Sequence, residues 1–375
     1  MRKVIHRISL MVVVLLVCYY TFVFSDIKFI KNLREIWVET AMTTGRHKWL
    51  ATAFIPEDEI ESIMSKQHID SGKVSVTGLN DKQETIDDLV DEKLYNMKYI
   101  KENKDIIEAS NIIQLKEESV WEKFISTYVN GDRDIYGNKI YVNDEKEGIL
   151  IIDIGDGIYR GKIAFIDDPS RLFVGMTDEK EVRGKQIKWY LENYNAILGI
   201  NANGFDDPKG HGKGGKILGW TKNGDEVWGR GKLGNLVSIG MDEDNRLVVG
   251  RIEDINEYKF KWLVQYKPQL IVNGEPVKEC LTGWGIQPRT AIGQREDGIV
   301  ALVVVDGRQP LHSIGINMKD LANLMIKYGI VNAGACDGGS STIMAYNGGV
   351  INKYSTSLNG GRYLPNAILV KKKGL

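Results

Sequence analysis

Two aspartates stand directly after apolar runs that have the composition of buried β-strands. One run, Ile299–Val305, is followed by Asp306, and the other, Ile330–Cys336, is followed by Asp337. Two carboxylates that converge on one substrate are the groups with which proteins cleave glycosidic bonds. Each aspartate also precedes a glycine, and a turn that begins with Asp-Gly would explain either one alone. The pair therefore indicates hydrolytic chemistry only if the fold brings both carboxylates together.

The segment between the two runs has the pattern of an amphipathic helix. Apolar side chains recur at helical spacing over Met318–Tyr328, and Gly329 follows as a typical C-terminal cap. Strand, helix and strand in succession predict a right-handed βαβ unit with two parallel strands. Asp306 and Asp337 would then lie at the same, carboxyl edge of the sheet, where open α/β sheets bind their ligands.

An arginine stands at the start of another strand-like run. Arg289 follows Pro288 and precedes a run of small and apolar residues. The planar guanidinium group suits a phosphate or a carboxylate, because it can donate two parallel hydrogen bonds. A surface ion pair is the alternative use of such an arginine. Placed near the two aspartates, Arg289 would indicate an anionic group in the ligand.

A second polar cluster occupies a strand end and the glycine-rich loop that follows. Asn201 and Asn203 precede Asp206, and His211 lies within the loop. The loop begins like a nucleotide-binding P-loop, but Ile217 stands where Ser or Thr would bind magnesium. A P-loop is therefore excluded, whereas a nest of backbone N–H groups that holds an anion is compatible with the glycines.

The N-terminus predicts a membrane anchor. Arg2, Lys3 and Arg7 precede an uncharged apolar run, Ile8–Phe24, and about 17 to 25 such residues are needed to span a bilayer. The basic flank is expected to stay in the cytoplasm, so the chain after Ser25 is expected outside. A cleaved signal peptide is the alternative, but the end of the run offers no pair of small residues for a peptidase.

Glycine is the outlier of the composition. The chain has 375 residues, 40 of them glycine, and a net charge of −1. The charge balance gives no indication of nucleic-acid binding. The glycines cluster after residue 199, which is typical of tight turns and close backbone approaches. Two Asn-Gly dipeptides, at 273–274 and 347–348, predict hairpin turns.

Two cysteines lie outside the predicted anchor. Cys280 and Cys336 could pair in an oxidising compartment, or both could be buried and free. Free thiols are favoured.

We predict an α/β fold of the mixed α+β type, with a glycine-rich mixed sheet that contains the βαβ unit. Residues 1–25 are the cytoplasmic flank and transmembrane anchor, 26–118 a helical spacer or accessory region, and 119–375 the catalytic domain. Apolar residues between 86 and 97 fit one face of a spacer helix. The polar and aromatic segment 40–52 lacks this pattern and is compatible with a loop that folds back onto the main domain.

Six segments between residues 150 and 370 resemble the phosphodiester glycosidase family, whose animal member uncovers mannose 6-phosphate by removing N-acetylglucosamine from a phosphodiester. The six segments are 200–205, 288–293, 306–308, the helix that ends at Gly329, 337–342 and 362–367. The anchor and the segment 43–49 resemble the Gram-positive bacterial branch, often described as exopolysaccharide-related. Cys336 departs from the family pattern, since a larger apolar residue is expected before the aspartate.

The resemblance implies hydrolysis of a sugar-1-phosphodiester at the glycosidic carbon, in a cell-surface glycopolymer or exopolysaccharide. No cofactor is expected, and a metal requirement is left open. Because phosphate is a good leaving group, the main demands are a carboxylate at the anomeric centre and cations at the phosphate. Asp337 and Asp306 are assigned to the first role. The predicted substrate-binding residues are Arg289 and Arg308 at the phosphate, Asn201, Asn203, Ser340 and Ser341 at the sugar hydroxyls, and Asp206, His211 and Arg362.

The expected partners are a glycan or glycosyl-phosphate polymer and the membrane, with no nucleic acid. A different class of function is also compatible with these motifs. The domain could be a non-catalytic glycan-binding protein or exopolysaccharide assembly factor that keeps the pocket without turnover. Incubation with cell-wall glycopolymers separates the two, because only an enzyme releases sugar or phosphomonoester.

Overall fold

The computed structural model describes residues 2–44, 47–65, 75–77, 119–234, 236–256, 258–281 and 283–374. The predicted spacer helix at 86–97 lies outside the described residues. The helices are α1 (Arg2–Phe24), α2 (Lys28–Met42), α3 (Trp49–Thr52), α4 (Glu57–Ser65), α5 (Val120–Tyr128), α6 (Ile187–Asn193) and α7 (Met318–Lys327).

The strands belong to three larger sheets and one short hairpin. They are β1 (Ser75–Val76), β2 (Val129–Asn130), β3 (Arg133–Asp134), β4 (Ile140–Asp144), β5 (Ile149–Gly155), β6 (Arg160–Ile166), β7 (Leu172–Met176), β8 (Ala196–Asn201), β9 (Gly219–Asn223), β10 (Glu226–Arg230), β11 (Val237–Met241), β12 (Leu247–Gly250), β13 (Trp262–Tyr266), β14 (Gln269–Val272), β15 (Glu275–Pro276), β16 (Arg289–Arg295), β17 (Val300–Val305), β18 (Ile330–Cys336), β19 (Met344–Tyr346), β20 (Gly349–Val350) and β21 (Asn366–Lys371).

The largest sheet has eight strands in the order β15-β14-β18-β16-β17-β6-β5-β4. Strand β16 pairs antiparallel with both β17 and β18. The two strands that α7 connects therefore run in the same direction, as the βαβ pattern predicts, but β16 lies between them. The mixed fold class is confirmed, with this inserted strand as the difference in detail.

The other sheets are also built from antiparallel neighbours. The six-stranded sheet has the order β1-β12-β11-β13-β9-β10, and the five-stranded sheet has the order β20-β19-β8-β21-β7. Both predicted Asn-Gly turns are present, because Asn273, Gly274, Asn347 and Gly348 all have positive φ angles. Left-handed conformations at both turn residues match the twist of the strands that they join.

The eight-stranded sheet buries both of its faces. Leu302 and Val304 pack into a core shared with the other two large sheets, whereas Val303 and Val305 face α7. The alternation follows from the two-residue period of a strand. Helix α7 presents Leu321 to that second core. Truncating a fully buried leucine such as Leu302 to alanine would cost roughly 2 to 5 kcal/mol. The core thus holds the strand ends that support the polar groups described below.

The N-terminal helices form a separate apolar cluster. The stretch His6–Phe24 of α1 is long and apolar enough to cross a membrane. Its end is tied to α2, because Arg34 donates hydrogen bonds to the carbonyls of Phe22 and Ser25. Val23 is buried in this cluster beside residues of α2, α3 and α4. The anchor and the following helices are therefore packed together.

The end of α2 contacts the main domain. The Glu39 carboxylate accepts hydrogen bonds from the backbone N–H groups of Gly283 and Gly285, and the Thr40 hydroxyl accepts one from Ile286. The predicted contact of this region with the main domain is thus present, but the segment is not a loop throughout, because residues 40–42 end α2 and residues 49–52 form α3. The domain boundaries at residues 25 and 118 stay predictions. Cys280 and Cys336 are buried and do not form a disulfide with each other, as expected.

Candidate active site

The register of three strands decides where the two aspartates lie. Thr290 of β16 pairs with Val304 of β17 on one side and with Cys336 of β18 on the other. Asp337 is the first residue after Cys336, whereas Asp306 is the second residue after Val304. Both aspartates lie just beyond the last residue of their strands, where strand alternation no longer fixes the direction of a side chain, and they line different cavities. The prediction that they share one cavity therefore differs from the structure.

Asp337 lies in the wall of the first cavity, which has a volume of about 450 Å³. Its polar lining is Thr43, Asp207, Tyr266, Lys267, Gln287, Arg289, Arg308, Asp337, Ser340, Ser341 and Arg362. Its apolar lining is Met42, Met64, Phe205, Leu218, Trp284 and Met318. An anion-binding arginine set beside a carboxylate and apolar walls is the arrangement expected of a site for a sugar phosphate. Five predicted residues beyond Asp337 line it: Arg289, Arg308, Ser340, Ser341 and Arg362.

The Asp337 carboxyl is held by several hydrogen-bond donors. The hydroxyls of Ser341 and Tyr266 and the backbone N–H of Gly338 donate to it. Burial raises the pKa of Asp337, while these donors and the charge of Arg362 oppose the shift. The net direction is upward, so its proton is released closer to neutral pH than that of an ordinary aspartate. A carboxyl group in this state is suited to general acid–base catalysis.

Asn201 and Asn203 hold the backbone around the site, and neither lines the cavity. The Asn201 amide donates to the carbonyl of Asp337 at 2.6 Å and accepts from the Thr290 hydroxyl at 2.8 Å. Asn203 exchanges hydrogen bonds with Asn366. Both are fully buried, and a buried amide must find its partners inside the protein. Their predicted role at sugar hydroxyls is therefore corrected to positioning.

Arg289 reaches the first cavity from a buried position. It is only 7% exposed, and its Nε and Nη2 groups donate to the carbonyls of Ile316, Trp284 and Gly285. Burial and the charge of Arg308 lower the pKa of Arg289 to about 10, against the influence of Tyr266. The side chain therefore stays cationic at neutral pH. These carbonyls fix the guanidinium plane and leave Nη1 as the donor that a ligand could use.

Arg308 supplies a second cation at the rim. Its Nε and Nη2 groups donate to the side-chain oxygen of Gln287 at 3.0 and 2.8 Å. Partial burial and the charge of Arg362 lower the pKa of Arg308, whereas Asp337 raises it. The influence of Asp337 means that cation and carboxyl lie within electrostatic reach of one another. Arg308 can therefore contact a charge that develops beside Asp337.

Arg362 is saturated by partners within the protein. It forms a bidentate ion pair with Asp207, at 2.7 and 2.9 Å, and donates to the Ser340 hydroxyl and the Gly212 carbonyl. Its guanidinium also lies 4.8 Å from the centre of the Phe205 ring. Arg362 consequently organises the wall of the cavity and has little donor capacity left for a substrate.

The predicted substrate ligands Asp206 and His211 lie outside the first cavity. Asp206 is exposed, and its neighbour Asp207 is the aspartate that lines the wall. His211 lines an adjoining space of about 620 Å³, here called the side cleft. The side cleft is lined by Thr44, His47, Asp207, Gly210, His211, Gly212, Lys213, Arg308, Ser340, Ser355, Thr356, Ser357, Leu358, Arg362 and Tyr363.

Asp306 lines a separate cavity, the second cavity, together with His312, Lys162 and Asn352. Its carboxylate contacts His312 Nε2 at 2.8 Å, and it accepts hydrogen bonds from the Asn352 side chain and the Lys353 backbone. These contacts tie the end of β17 to the loop after β20. Asp306 is therefore not the partner of Asp337 that the βαβ pattern predicts.

Tyr266 and Gln287 contribute to the site without having been predicted. Tyr266 ends β13 and donates to Asp337, whereas Gln287 precedes the arginine motif and binds Arg308. Both residues lie outside the six segments that resemble the family, so neither was singled out from the sequence. Within the described ranges, no group of three or more His, Cys, Asp or Glu residues could hold a metal ion.

Residues 194–371 match the model of the family described as phosphodiester glycosidase. The resemblance carried by the motifs is thus confirmed over this range. A Bacillus subtilis protein described as SPbeta prophage-derived uncharacterized protein YomE is 38% identical over 93 residues, which is 24% of this chain. The match spans 14% of the length of that relative.

A solved structure has a similar fold. It is the zebrafish N-acetylglucosamine-1-phosphodiester alpha-N-acetylglucosaminidase catalytic domain, auto-inhibited by its pro-peptide. The identity is 21% and the TM-score 0.51, over 60% of this chain and 82% of the zebrafish chain. At this identity the likeness defines the fold, and the activity has to be argued from the site.

Proposed function

We propose that this chain is an extracytoplasmic glycoside hydrolase that cleaves a sugar-1-phosphodiester in a cell-surface glycopolymer or exopolysaccharide. The observation that carries the proposal is the Asp337 carboxyl, with a raised pKa, in a cavity that also holds Arg289 and Arg308. The zebrafish enzyme is named for a bond of this class. The apolar helix α1 supports attachment to a membrane with the domain outside.

In the proposed reaction, the Asp337 carboxylate stabilises the positive charge that develops at the anomeric carbon and accepts a proton from the attacking water. The water oxygen bonds to the anomeric carbon as the bond from that carbon to the phosphate oxygen breaks. The phosphomonoester leaves with the electron pair of this bond. Arg289 and Arg308 stabilise its negative charge, and preformed donors of this kind need no rearrangement during the reaction.

Substitution of Asp337 by asparagine tests this function. Asp337→Asn removes the charge but keeps the size, so kcat on a glycosyl phosphodiester should fall by about 10² or more with little change in KM. Steady-state kinetics give both constants, and thermal melting verifies folding. Asp206→Asn is the matched control, since Asp206 is exposed and outside the cavity lining. Near-normal turnover by Asp337→Asn would show that Asp337 only begins a turn and does not act in catalysis.

The same assay decides between the enzyme and the glycan-binding alternative. A wild-type protein that binds the glycopolymer but releases neither sugar nor phosphomonoester would be a binding or assembly factor.

A further inference from the structure

The side cleft continues from the first cavity and is not used by the proposed reaction. Four residues line both spaces: Asp207, Arg308, Ser340 and Arg362. Asp337 and Arg289 line the first cavity, whereas His211 and Lys213 line the side cleft. A ligand that reacts at Asp337 can therefore extend past Arg308 into a second space with a lining of its own.

The side cleft carries net positive charge. Among its described lining residues, Lys213, Arg308 and Arg362 are cationic and Asp207 is the carboxylate. Asp207 is engaged by Arg362 in a bidentate pair, so the charge of this carboxylate is already balanced. Lys213 and Arg308 remain to attract an anion. Positive charge in a concave space raises the local concentration of anionic ligands.

Hydroxyl groups also line the cleft. Ser355, Thr356 and Ser357 follow one another in the loop after β20. The Ser355 hydroxyl is buried and has no hydrogen-bond partner within the described structure. The hydroxyls that a ligand can reach are those of Thr356 and Ser357, because the Ser355 oxygen has almost no surface accessible to solvent. Hydroxyl donors beside cations suit a polyol phosphate better than an apolar group.

We propose that the side cleft binds a second phosphate of a polymeric substrate, one repeat beyond the phosphate that leaves the anomeric carbon. The proposal rests on the proposed function and narrows its substrate to polymers with repeating phosphates. Arg308 stands between the two anions, and Lys213 binds the distal one. The reacting bond stays at Asp337, so a substrate with a single phosphate is still cleaved, but with a lower kcat/KM.

Three synthetic substrates test the proposal. The first is a methyl ester of a glycosyl-1-phosphate, with one phosphate. The second extends the same phosphodiester with a neutral glycerol ether, and the third extends it with a glycerol phosphate. Wild-type kcat/KM should rise roughly fivefold to tenfold for the third substrate over the second, as one added charge-assisted contact predicts. Comparison with the neutral extension separates the effect of the added charge from the effect of the added contact area.

Lys213→Met should abolish this preference while leaving kcat/KM on the methyl ester unchanged. Lys216→Met is the matched control, because Lys216 is exposed in the same loop but does not line the side cleft. Equal rates on the second and third substrates, or a preference that survives in Lys213→Met, would overturn the subsite while the glycosidase function stands.

Binding affinities test the subsite independently of turnover if no substrate is hydrolysed. Titration calorimetry with the same three compounds would then still detect tighter binding of the doubly charged one, and its loss in Lys213→Met, if the subsite exists. That outcome would refute the hydrolase and keep the anion subsite. Equal affinities for all three compounds would refute the subsite as well.

Discussion

Asp337 lies between a cavity wall that desolvates it and donors that favour its charged form. Ser341, Tyr266 and Gly338 donate to the carboxyl, yet burial prevails and the pKa of Asp337 is raised. Ionisation of the Asp337 carboxyl therefore costs free energy in the folded protein, and the same raised pKa makes the carboxylate a stronger base. Both activity and stability should depend on pH as a result.

The acid limb of kcat/KM should follow the ionisation of Asp337. Activity should fall as the pH drops below its raised pKa, because the base must be unprotonated. The stability of the fold should change with pH in the opposite direction. The unfolded pKa of aspartate is about 3.9, and between that value and the native pKa the folded state binds more protons, so stability declines as pH rises.

Asp337→Asn removes this titration, so the variant should gain stability over wild type as pH rises from the unfolded pKa of about 3.9 towards the raised native pKa. Chemical denaturation at several pH values measures the difference. A difference that is constant with pH would contradict the raised pKa.

Arg289→Lys should weaken both substrate binding and folding. Lysine keeps the charge but loses the planar fork, so the carbonyls of Ile316, Trp284 and Gly285 lose their donors. Leaving buried acceptors unpaired should cost about 1 to 3 kcal/mol of unfolding free energy, and KM should rise. Arg308→Lys is the comparison. Arg308 lies at the rim of the cavity and is bonded to a side chain, so KM should rise there with little loss of stability. An unchanged KM in Arg289→Lys would remove Arg289 from the binding site.

At the scale of elements, the end of α2 supports the two arginines through one loop. Thr40 and Thr43 accept hydrogen bonds from the Gln287 amide, whose oxygen binds Arg308. The carbonyl of Gly285, in the same loop, accepts from Arg289. Helix α2 therefore acts on the site through residues 283–287, although it is far away in sequence.

Gly285→Ala should separate α2 from this loop. A Cβ atom there would lie 2.6 Å from the Cα of Thr40 and 2.8 Å from the carbonyl carbon of Glu39, so backbone must move. Misplacing catalytic groups by about 1 Å can cost about 10²-fold, and kcat/KM should fall by at least about tenfold.

Gly274→Ala is the matched control for Gly285→Ala, since both glycines have positive φ angles but a Cβ at Gly274 meets nothing within 4 Å. It should lose about 1 kcal/mol of stability from backbone strain and keep its activity. Equal activity losses in the two variants would show that backbone strain, and not the α2 contact, is responsible.

At the scale of the whole molecule, helix α2 connects the end of helix α1 to the first cavity. Arg34 joins α2 to the end of α1, and α2 has 15 residues, which is a length of about 22 Å. Met42 at its far end lines the first cavity. The proposed active site would therefore face substrates close to the membrane.

Protease added to intact protoplasts should digest the domain that follows α1. Removal of α1 would also expose the buried cluster around Val23 and Val38, so retention of the anchor is expected. Immunoblotting of the C-terminal part before and after lysis measures the topology. Full protection in intact protoplasts would contradict it, as would a mature chain that begins near Asp26 in the medium.

Local chemistry made several features predictable. Asn-Gly dipeptides require left-handed turns, the apolar period of α7 defines its buried face, and Arg289 and Asp337 occur at strand ends whose sequences resemble the family. The amino-acid sequence alone therefore determined the mixed fold class and the apolar N-terminal helix, and it pointed to Arg289 and Asp337, which line one cavity. These features can be predicted from the sequence because each depends on only a few neighbouring residues.

Only the tertiary structure decided which polar groups share a cavity. Strand β16 separates the two parallel strands, and Asp306 and Asp337 line different cavities. The same packing buries Asn201 and brings Tyr266 to Asp337. Such outcomes depend on the register between strands that are distant in sequence, and a one-residue difference in register reverses the face of every side chain.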